Sequence, residues 1–383
     1  MRAVKRSRIG VAVSFGGTKI GVALLDAHTG LIIARSARIL WCLHPDWDAQ
    51  QPLGSLIAIV VNVIAILIES IGASISNVAY IGIAWPGPGK YREGLLQATF
   101  IPGLEHETNV HRIMMDALAD RFGRSIDHVI IAFGLDAHAR ALGELSLPCG
   151  AFAREHSASN GVVVNIATGV AGAIVVAGRL MRSWTPLGST YGQWGRFVFR
   201  NLSSGEWIWR PTADGSIPSI RPGEVRLTEL CGGPALRARF SDLNGYPRRP
   251  RERNLVHERL CLRRITQEAY RQNTQSLAFI RSVGSELGGA IECVLNAFRL
   301  PLQSTNVVLT GGIGEFFGAP PKETSGEDIL LAAIKDIGLP CRVVRSRAGL
   351  DAEFAGAALF CDPAASEDQI SFPCLERNTL RSL

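Results

Sequence analysis

Arg8-Ile-Gly-Val-Ala-Val-Ser-Phe-Gly-Gly-Thr-Lys-Ile-Gly-Val-Ala-Leu-Leu25 is the stretch that decides the fold class. Ile9 to Phe15 is a short apolar run of the kind that forms a buried strand. Gly16-Gly-Thr-Lys19 is a glycine-rich turn, and Ile20 to Leu25 is a second apolar run. Asp26-Ala-His-Thr-Gly30 reads as a turn cluster and Leu31-Ile-Ile-Ala-Arg35 as a third strand. Strand, glycine turn, strand, turn, strand is an antiparallel meander. A dinucleotide fingerprint leads from its strand through the glycines into a helix, so this spacing argues against a Rossmann nucleotide site.

Downstream, the pattern predicts a helix around Leu53 to Ile71 and a strand at Val78–Ala84 that stops at the rigid turn Trp85-Pro-Gly-Pro-Gly89. A second helix is expected over Val110 to Phe122 and another strand over His128–Ala132. The plan then recurs. Gly161–Ile166 is a buried strand, Ala167-Thr-Gly-Val-Ala-Gly172 a glycine-rich turn and Ala173–Ala177 a second strand, while Asn306–Thr310 runs into Gly311-Gly-Ile-Gly314. Two such units, roughly 150 residues apart, predict two related domains facing each other across a cleft. The boundary is expected near residues 120 to 135, giving a smaller N-terminal domain over 1–130 and a larger one over 131–383. The C-terminal segment is a candidate to complete the first domain. Trp207-Ile-Trp209 reads first as core, with an interface anchor or a lid over a ligand as the other readings. The tail from Cys361 onward is polar and mixed, and its pattern places it nowhere.

Composition agrees with a two-domain globular chain. At 383 residues it exceeds one ordinary core, and 47% apolar against 19% charged residues excludes disorder. The longest apolar stretch, Leu56 to Ile68, is interrupted by Asn62 and falls short of the roughly 20 residues that a membrane span needs. The basic start is followed by Ile9 to Val13, too short for a signal peptide's apolar region. The expectation is a soluble, cytoplasmic protein with no membrane partner.

The net charge of +6 comes from 40 cations of which only five are lysines, and the arginines are scattered. That skew suits a bacterial genome rich in G and C. The cluster Arg248-Arg-Pro-Arg-Glu-Arg253, with Arg259, Arg263 and Arg264, reads as a solvated loop and helix face. Without aromatic interleaving or zinc-finger spacing, no nucleic-acid partner is expected. Eight dispersed cysteines and eight dispersed histidines form no metal-ligand spacing, so reduced thiols and no structural metal are expected.

Three glycine-rich turns, each capping an apolar strand, are the candidate phosphate and nucleotide contacts: Gly16, Gly17, Thr18 and Lys19; Thr168 and Gly169; Gly311, Gly312 and Gly314. Glycine lets backbone amides approach phosphate oxygens, and Thr18 or Thr168 adds a hydroxyl donor. Any one of the three is equally an ordinary structural turn. Asp136, in Gly134-Leu-Asp-Ala-His-Ala-Arg-Ala-Leu-Gly-Glu144, heads an Ala-rich helix. It reads as a helix cap or as a general base that takes a hydroxyl proton during phosphoryl transfer.

The order of these motifs resembles the ROK family of sugar kinases, within the actin–hexokinase–Hsp70 ATPase superfamily, over nearly the whole chain. Ser14–Lys19 is similar to the first phosphate motif, Asp-x-Gly-Gly-Thr-Lys. Gly82–Pro88 matches the strand ending in Pro-Gly-Pro, and Phe100–Leu104 the segment Asn-x-Pro-Gly-Trp. Leu135–Glu144 resembles Asn-Asp-Ala-Asn-x-x-Ala-x-Gly-Glu, Ala167–Ala173 the second phosphate motif, Gly311–Gly314 the adenosine-side turn, and Glu353–Leu359 the closing helix. The resemblance implies an α/β fold of two ribonuclease-H-like domains facing a nucleotide cleft, ATP with Mg²⁺, and Asp136 as catalytic base.

It also implies acceptor contacts at Gly87, Leu135, Asp136, Gln193, Arg196 and either Thr228 or Glu229, and here the chain departs from the pattern. Ser14 stands where the family has the Asp that helps order Mg²⁺ and its waters, so no dedicated metal ligand is expected and Mg²⁺ would arrive with ATP. Leu135 replaces an Asn, and Gln193 and Arg196 replace the Glu and His that grip sugar hydroxyls. The Cys-rich zinc segment is absent, so no structural zinc is expected. The acceptor is accordingly expected to be a sugar or a sugar-like cyclitol, such as the modified sugars of specialised metabolism. The other reading is a catalytically silent, ligand-binding or regulatory relative. ROK repressors carry an N-terminal winged helix, and only about eight residues precede the first strand here, so a repressor is not expected. ROK proteins are often dimers; a homodimer is open, since no self-complementary surface can be read from the sequence.

Overall fold

The opening apolar run forms β1 (Ile9–Phe15), buried along its whole length, and the run after the glycine turn forms β2 (Ile20–Asp26). The computed structural model describes residues 8–98, 101, 104–152, 160–181, 192–212, 216–243, 255–321 and 326–362. β1 and β2 pair antiparallel, with Ile9 opposite Asp26 and Phe15 opposite Ile20, so Gly16–Lys19 closes a hairpin. β3 (Ile32–Arg35) extends it on the β2 side. The chain then forms α1 (Pro52–Ser70), with proline in its first turn, where a missing N–H costs nothing. It returns as β4 (Val78–Trp85), parallel to β1. A small antiparallel sheet, β5 (Gly89–Lys90), β6 (Leu95–Leu96) and β7 (Thr108–Asn109), leads into α2 (Val110–Phe122). β8 (Ile130–Leu135) lies parallel to β4 and feeds α3 (Asp136–Ser146). The sheet order is β3-β2-β1-β4-β8.

This sheet has one bulky face and one small face because side chains alternate along each strand. Val11, Val13, Phe15, Ile81 and Ile83 point into a core with Leu56, Ile57, Val60 and Ile64 of α1 and Val110, Met114 and Leu118 of α2. By length and composition α1 could cross a membrane, but nine of its residues are buried in the structure, most of them in this core. On the other face Ala12, Ala23, Leu25 and Ala84 meet Ala139 of α3 and Phe354, Ala357 and Ala358 of the last helix, α11 (Leu350–Leu359). Small side chains there allow backbone-level approach: a Cβ built at Gly82 would lie 2.0 Å from the Ala357 carbonyl oxygen.

The second unit repeats the plan. β9 (Asn160–Ile166) and β10 (Val170–Val176) form an antiparallel hairpin. After the short β11 (Arg179–Leu180) come α4 (Trp194–Phe197), β12 (Val198–Asn201), β13 (Trp207–Trp209) and β14 (Glu224–Arg226), the last three forming an antiparallel sheet in the order β13-β12-β14. Then follow α5 (Leu227–Cys231), α6 (Gly233–Leu243), α7 (Leu255–Tyr270) and α8 (Thr274–Ala297). β15 (Thr305–Thr310) adds parallel to β9 and leads into α9 (Gly311–Gly314), then α10 (Ile329–Asp336) and β16 (Arg342–Arg345), parallel to β15. The order β10-β9-β15-β16 is that of β2-β1-β4-β8, as expected from the repeated strand–turn–strand signature. Trp209 is half-buried and packs against Phe197 and Phe298 with ring centroids 6.1 and 5.6 Å away.

Compact unit one comprises Met1–Gly150, Arg179–Thr190 and Leu350–Leu383; unit two comprises Ala151–Gly178 and Tyr191–Gly349. The first unit thus runs past residue 130, because β8 pairs with β4 and α3 packs on α11. The strand expected at His128–Ala132 lies at Ile130–Leu135 instead. A short helical turn at Gly123–Ile126 delays its start, and Leu135 extends it by pairing with Trp85. Phe100, Pro102 and Gly103, the arginine cluster at 248–253 and the tail from residue 363 lie outside the described residues.

Candidate active site

β1, β4 and β8 run parallel, so their carboxyl ends lie together, and ligands of open α/β sheets bind outside such ends. Those ends carry Gly16–Lys19, the turn after Trp85, and Asp136. The Gly16 amide donates to the Lys19 carbonyl at 2.7 Å and the Trp41 indole to the Gly16 carbonyl at 3.3 Å, which fixes the loop from both sides. Residues 16–19 are only partly buried, so the loop can be reached, although the Gly16 amide is already engaged. Gly87 and Leu135, two expected acceptor contacts, are buried. A Cβ at Gly87 would sit 2.1 Å from the Gln97 carbonyl oxygen, so glycine there permits a backbone crossing. The Leu135 side chain is fully buried and presents no surface to a ligand.

Asp136 is the first residue of α3 and is partly exposed. Its Oδ1 accepts from the Ala137 amide at 2.7 Å. A carboxylate is favoured at a helix start by the unpaired amides and the helix dipole. One turn along the same helix, Arg140 is 3% exposed and meets Glu353 of α11 at 2.5 Å. The other oxygen of Glu353 accepts from the Ser14 hydroxyl. Neither Arg140 nor Glu353 was singled out from the sequence. The available signal was a charge inside each of two otherwise Ala-rich helical segments.

In the second unit the expected residues also gather. Thr168 and Gly169 form the turn between β9 and β10, with the Ala167 amide donating to the Gly169 carbonyl at 2.9 Å. The Val170 amide donates to Thr228 Oγ1 at 3.1 Å. Thr228 Oγ1 would lie 1.8 Å from a Cβ at Gly195, so α4, which follows Gln193 and holds Arg196, is pressed onto this turn. Of the two candidates on α5, Thr228 therefore faces the turn. Glu229 is exposed and its carboxylate caps the helix by accepting from the Arg226 amide at 3.1 Å. Gln193 is buried at the start of α4 and Arg196 is half-buried on it. Gly311 has φ +93° and abuts the Asn165 side chain and the Ile166 backbone, which only glycine allows. Beyond it, Arg345 grips both oxygens of Asp328 at 2.5 and 2.9 Å and donates to the Gly314 carbonyl, so the turn over 311–314 is clamped.

A ROK family profile matches residues 10–362. The chain belongs to the ROK family. Solved ROK structures share its fold, the actin–hexokinase-like two-domain ATPase fold. A ROK hexokinase from Thermus thermophilus aligns with a TM-score of 0.60 at 19% identity, covering 94% of this chain and 99% of that one. A ROK family glucokinase from Streptomyces griseus, solved in complex with glucose and AMPPNP, gives 0.59 at 18%, covering 91% and 98%. A ROK family transcriptional regulator, a homologue of the E. coli MLC protein, gives 0.60 at 18%, covering 94% and 79%. No curated protein matches the sequence. At these identities the likeness is one of fold.

Within the ROK frame, the glycine turns suit phosphate groups, whereas the end of β1 does not suit a directly bound Mg²⁺. A hard cation needs free oxygen ligands. The acid beside Ser14 has one oxygen engaged by the hydroxyl and the other by a guanidinium.

Proposed function

We propose that this ROK protein is an ATP-dependent kinase that phosphorylates a hydroxyl of a sugar or sugar-like cyclitol, with Asp136 as general base. The observation that carries the reading is Asp136 itself: a partly exposed carboxylate at the head of α3, on the strand-end edge that also bears the first glycine turn. The turns at Gly16–Lys19 and at Thr168–Gly169 would each suit phosphate oxygens. Gly311, Gly312 and Gly314 would lie on the nucleoside side. ATP, when bound, supplies the phosphoryl group and its own Mg²⁺. Asp136 accepts the proton of the attacking hydroxyl, and most of the acceleration of phosphoryl transfer comes from holding the reacting groups in line.

Gln193, Arg196 and Thr228 set the acceptor class. Gln193 both donates and accepts, whereas Arg196 only donates. With Leu135 buried, no polar side chain stands next to the base on its N-terminal side. That set grips fewer hydroxyls than a glucose site does and fits a cyclitol or modified sugar. Incubation with Mg²⁺-ATP and a panel of hexoses, amino sugars and C7-cyclitols, read by mass spectrometry, tests this. One acceptor should gain a phosphoryl group, and Asp136→Asn should cut turnover about 100-fold or more while sparing ligand binding. Full activity in Asp136→Asn would remove Asp136 from the role. The engaged Glu353 beside Ser14 favours one second reading, a catalytically silent ligand-binding or regulatory ROK protein. Ligand binding without transfer to any acceptor would select it.

A further inference from the structure

We infer that Glu353 is a positioning residue: held by Ser14 and Arg140, it ties the helix that carries Asp136 to the strand that carries the first glycine turn. The inference rests on the reading of Asp136 as base. Ser14, Arg140 and Glu353 are 5%, 3% and 3% exposed, and they come from β1, α3 and α11. The apolar cluster formed by the same three elements includes Ala12, Ala139, Phe354 and Ala357. A buried ion pair costs desolvation and is by itself a weak source of stability, so a role in holding elements in place is the one to test.

What it contributes follows from where its members stand. Arg140 lies four residues after Asp136, on the same face of α3. Ser14 stands two residues before Gly16. The helices themselves touch at backbone level: a Cβ at Gly143 would lie 1.9 Å from the Ala352 carbonyl oxygen, and one at Gly356 would lie 1.7 Å from that of Ala139. Glycines bring α3 and α11 together, and they leave sliding along the contact to be stopped by a directional bond. The Arg140–Glu353–Ser14 chain is that bond. It also commits the Ser14 proton, so its Oγ can only accept from any further partner.

Within the trio one cation faces one anion. An aspartate at position 14 would place two carboxylates against one guanidinium in a buried site, where like charges disfavour ionisation. Serine at 14 and glutamate at 353 are therefore matched in charge.

Two measurements on the intact protein test this. The first is thermal unfolding of the wild type, Ser14→Asp, Glu353→Gln and the double variant. Each single change should lower the melting temperature by several degrees, and the double variant should recover most of the Ser14→Asp loss. Losses that simply add would overturn the match. The second is hydrogen exchange of peptides spanning 133–146. Glu353→Gln should speed exchange at the first turn of α3, and Glu353→Asp should restore part of the protection. Glu286→Gln, which breaks an ion pair of the second unit, should leave that turn unchanged. Unchanged exchange in Glu353→Gln would sink the positioning role, whatever its melting temperature.

Neither readout needs activity, so both decide the inference even where no acceptor is phosphorylated and the kinase reading fails. With an acceptor in hand, Glu353→Gln should lower kcat roughly 10-fold or more with little change in the KM for ATP. A rise in KM alone would assign the chain to nucleotide binding instead of to the base.

Discussion

Arg210 places its two terminal nitrogens 2.9 and 2.7 Å from the oxygens of Glu224, and its guanidinium lies 4.1 Å from the Phe199 ring centroid. These hydrogen bonds hold the Glu224 carboxyl below the usual carboxylate range, against the opposing effect of burial. A group with a depressed folded pKa lends stability above its unfolded value, near 4.5, and loses it as pH falls through the folded value. Glu224→Gln should therefore melt a few degrees below the wild type at pH 7. The gap should close as the buffer is taken below the carboxylate range; a constant gap would mean that packing, not charge, is what the pair provides. Cys231 makes a second case. Burial raises its thiol pKa well above the usual value, and nearby Glu286 adds to the shift, whereas Cys149 is exposed. Iodoacetamide under native conditions, read by peptide mass, should label Cys149 and spare Cys231 until the protein is denatured. At this scale the sequence revealed what local order encodes. Asp136 could be found because it follows a strand and heads a helix, but Glu353 could not be paired with Ser14, 339 residues away, without the packing that joins them.

The crossing of α3 and α11 depends on Gly143 and Gly356, each facing the backbone of the other helix. Gly356→Ala should cost about 2–3 kcal/mol or more, since the added methyl has no space and the obstacle is main chain, not a movable side chain. Faster hydrogen exchange across both helices, with α8 and α10 unaffected, would locate the damage at this contact. An unchanged melting temperature would show that the helices can separate without loss. The strands around the glycine turns were legible because their apolar runs are bounded by turn residues. The exceptions have local causes. β8 begins late because a helical turn precedes it, and its last residues, Gly134 and Leu135, look like motif rather than strand until the pairing with Trp85 is seen. Thr228 and Glu229 could not be separated by counting, since one residue of shift decides between them. The helix turns Thr228 to the Val170 amide and Glu229 to its own N-terminus.

At the level of the chain, two sheets share one strand order, and the repeated strand–turn–strand signature announced that duplication. The sequence also offered the C-terminal segment as a candidate to complete the first unit, without the packing by which it does so. That unit's small-sided sheet face is covered by α11, which the chain reaches only after the second unit is complete. A chain ending at Gly349 would leave Ala12, Ala23, Leu25 and Ala84 without Phe354, Ala357 and Ala358, and would strand Arg140 without Glu353. Losing one partner of a buried ion pair is strongly destabilising, because the remaining charge stays out of water. The truncated protein should therefore lose the cooperative unfolding of its first unit and bind a hydrophobic dye, while the second unit keeps its own calorimetric transition. A peptide covering residues 350–362, added in excess, should bring the lost transition back, and the same peptide with Glu353→Gln should do so less well. A truncated chain that melts like the full one would make α11 an appendage and remove the physical basis for treating the C-terminus as part of the first domain.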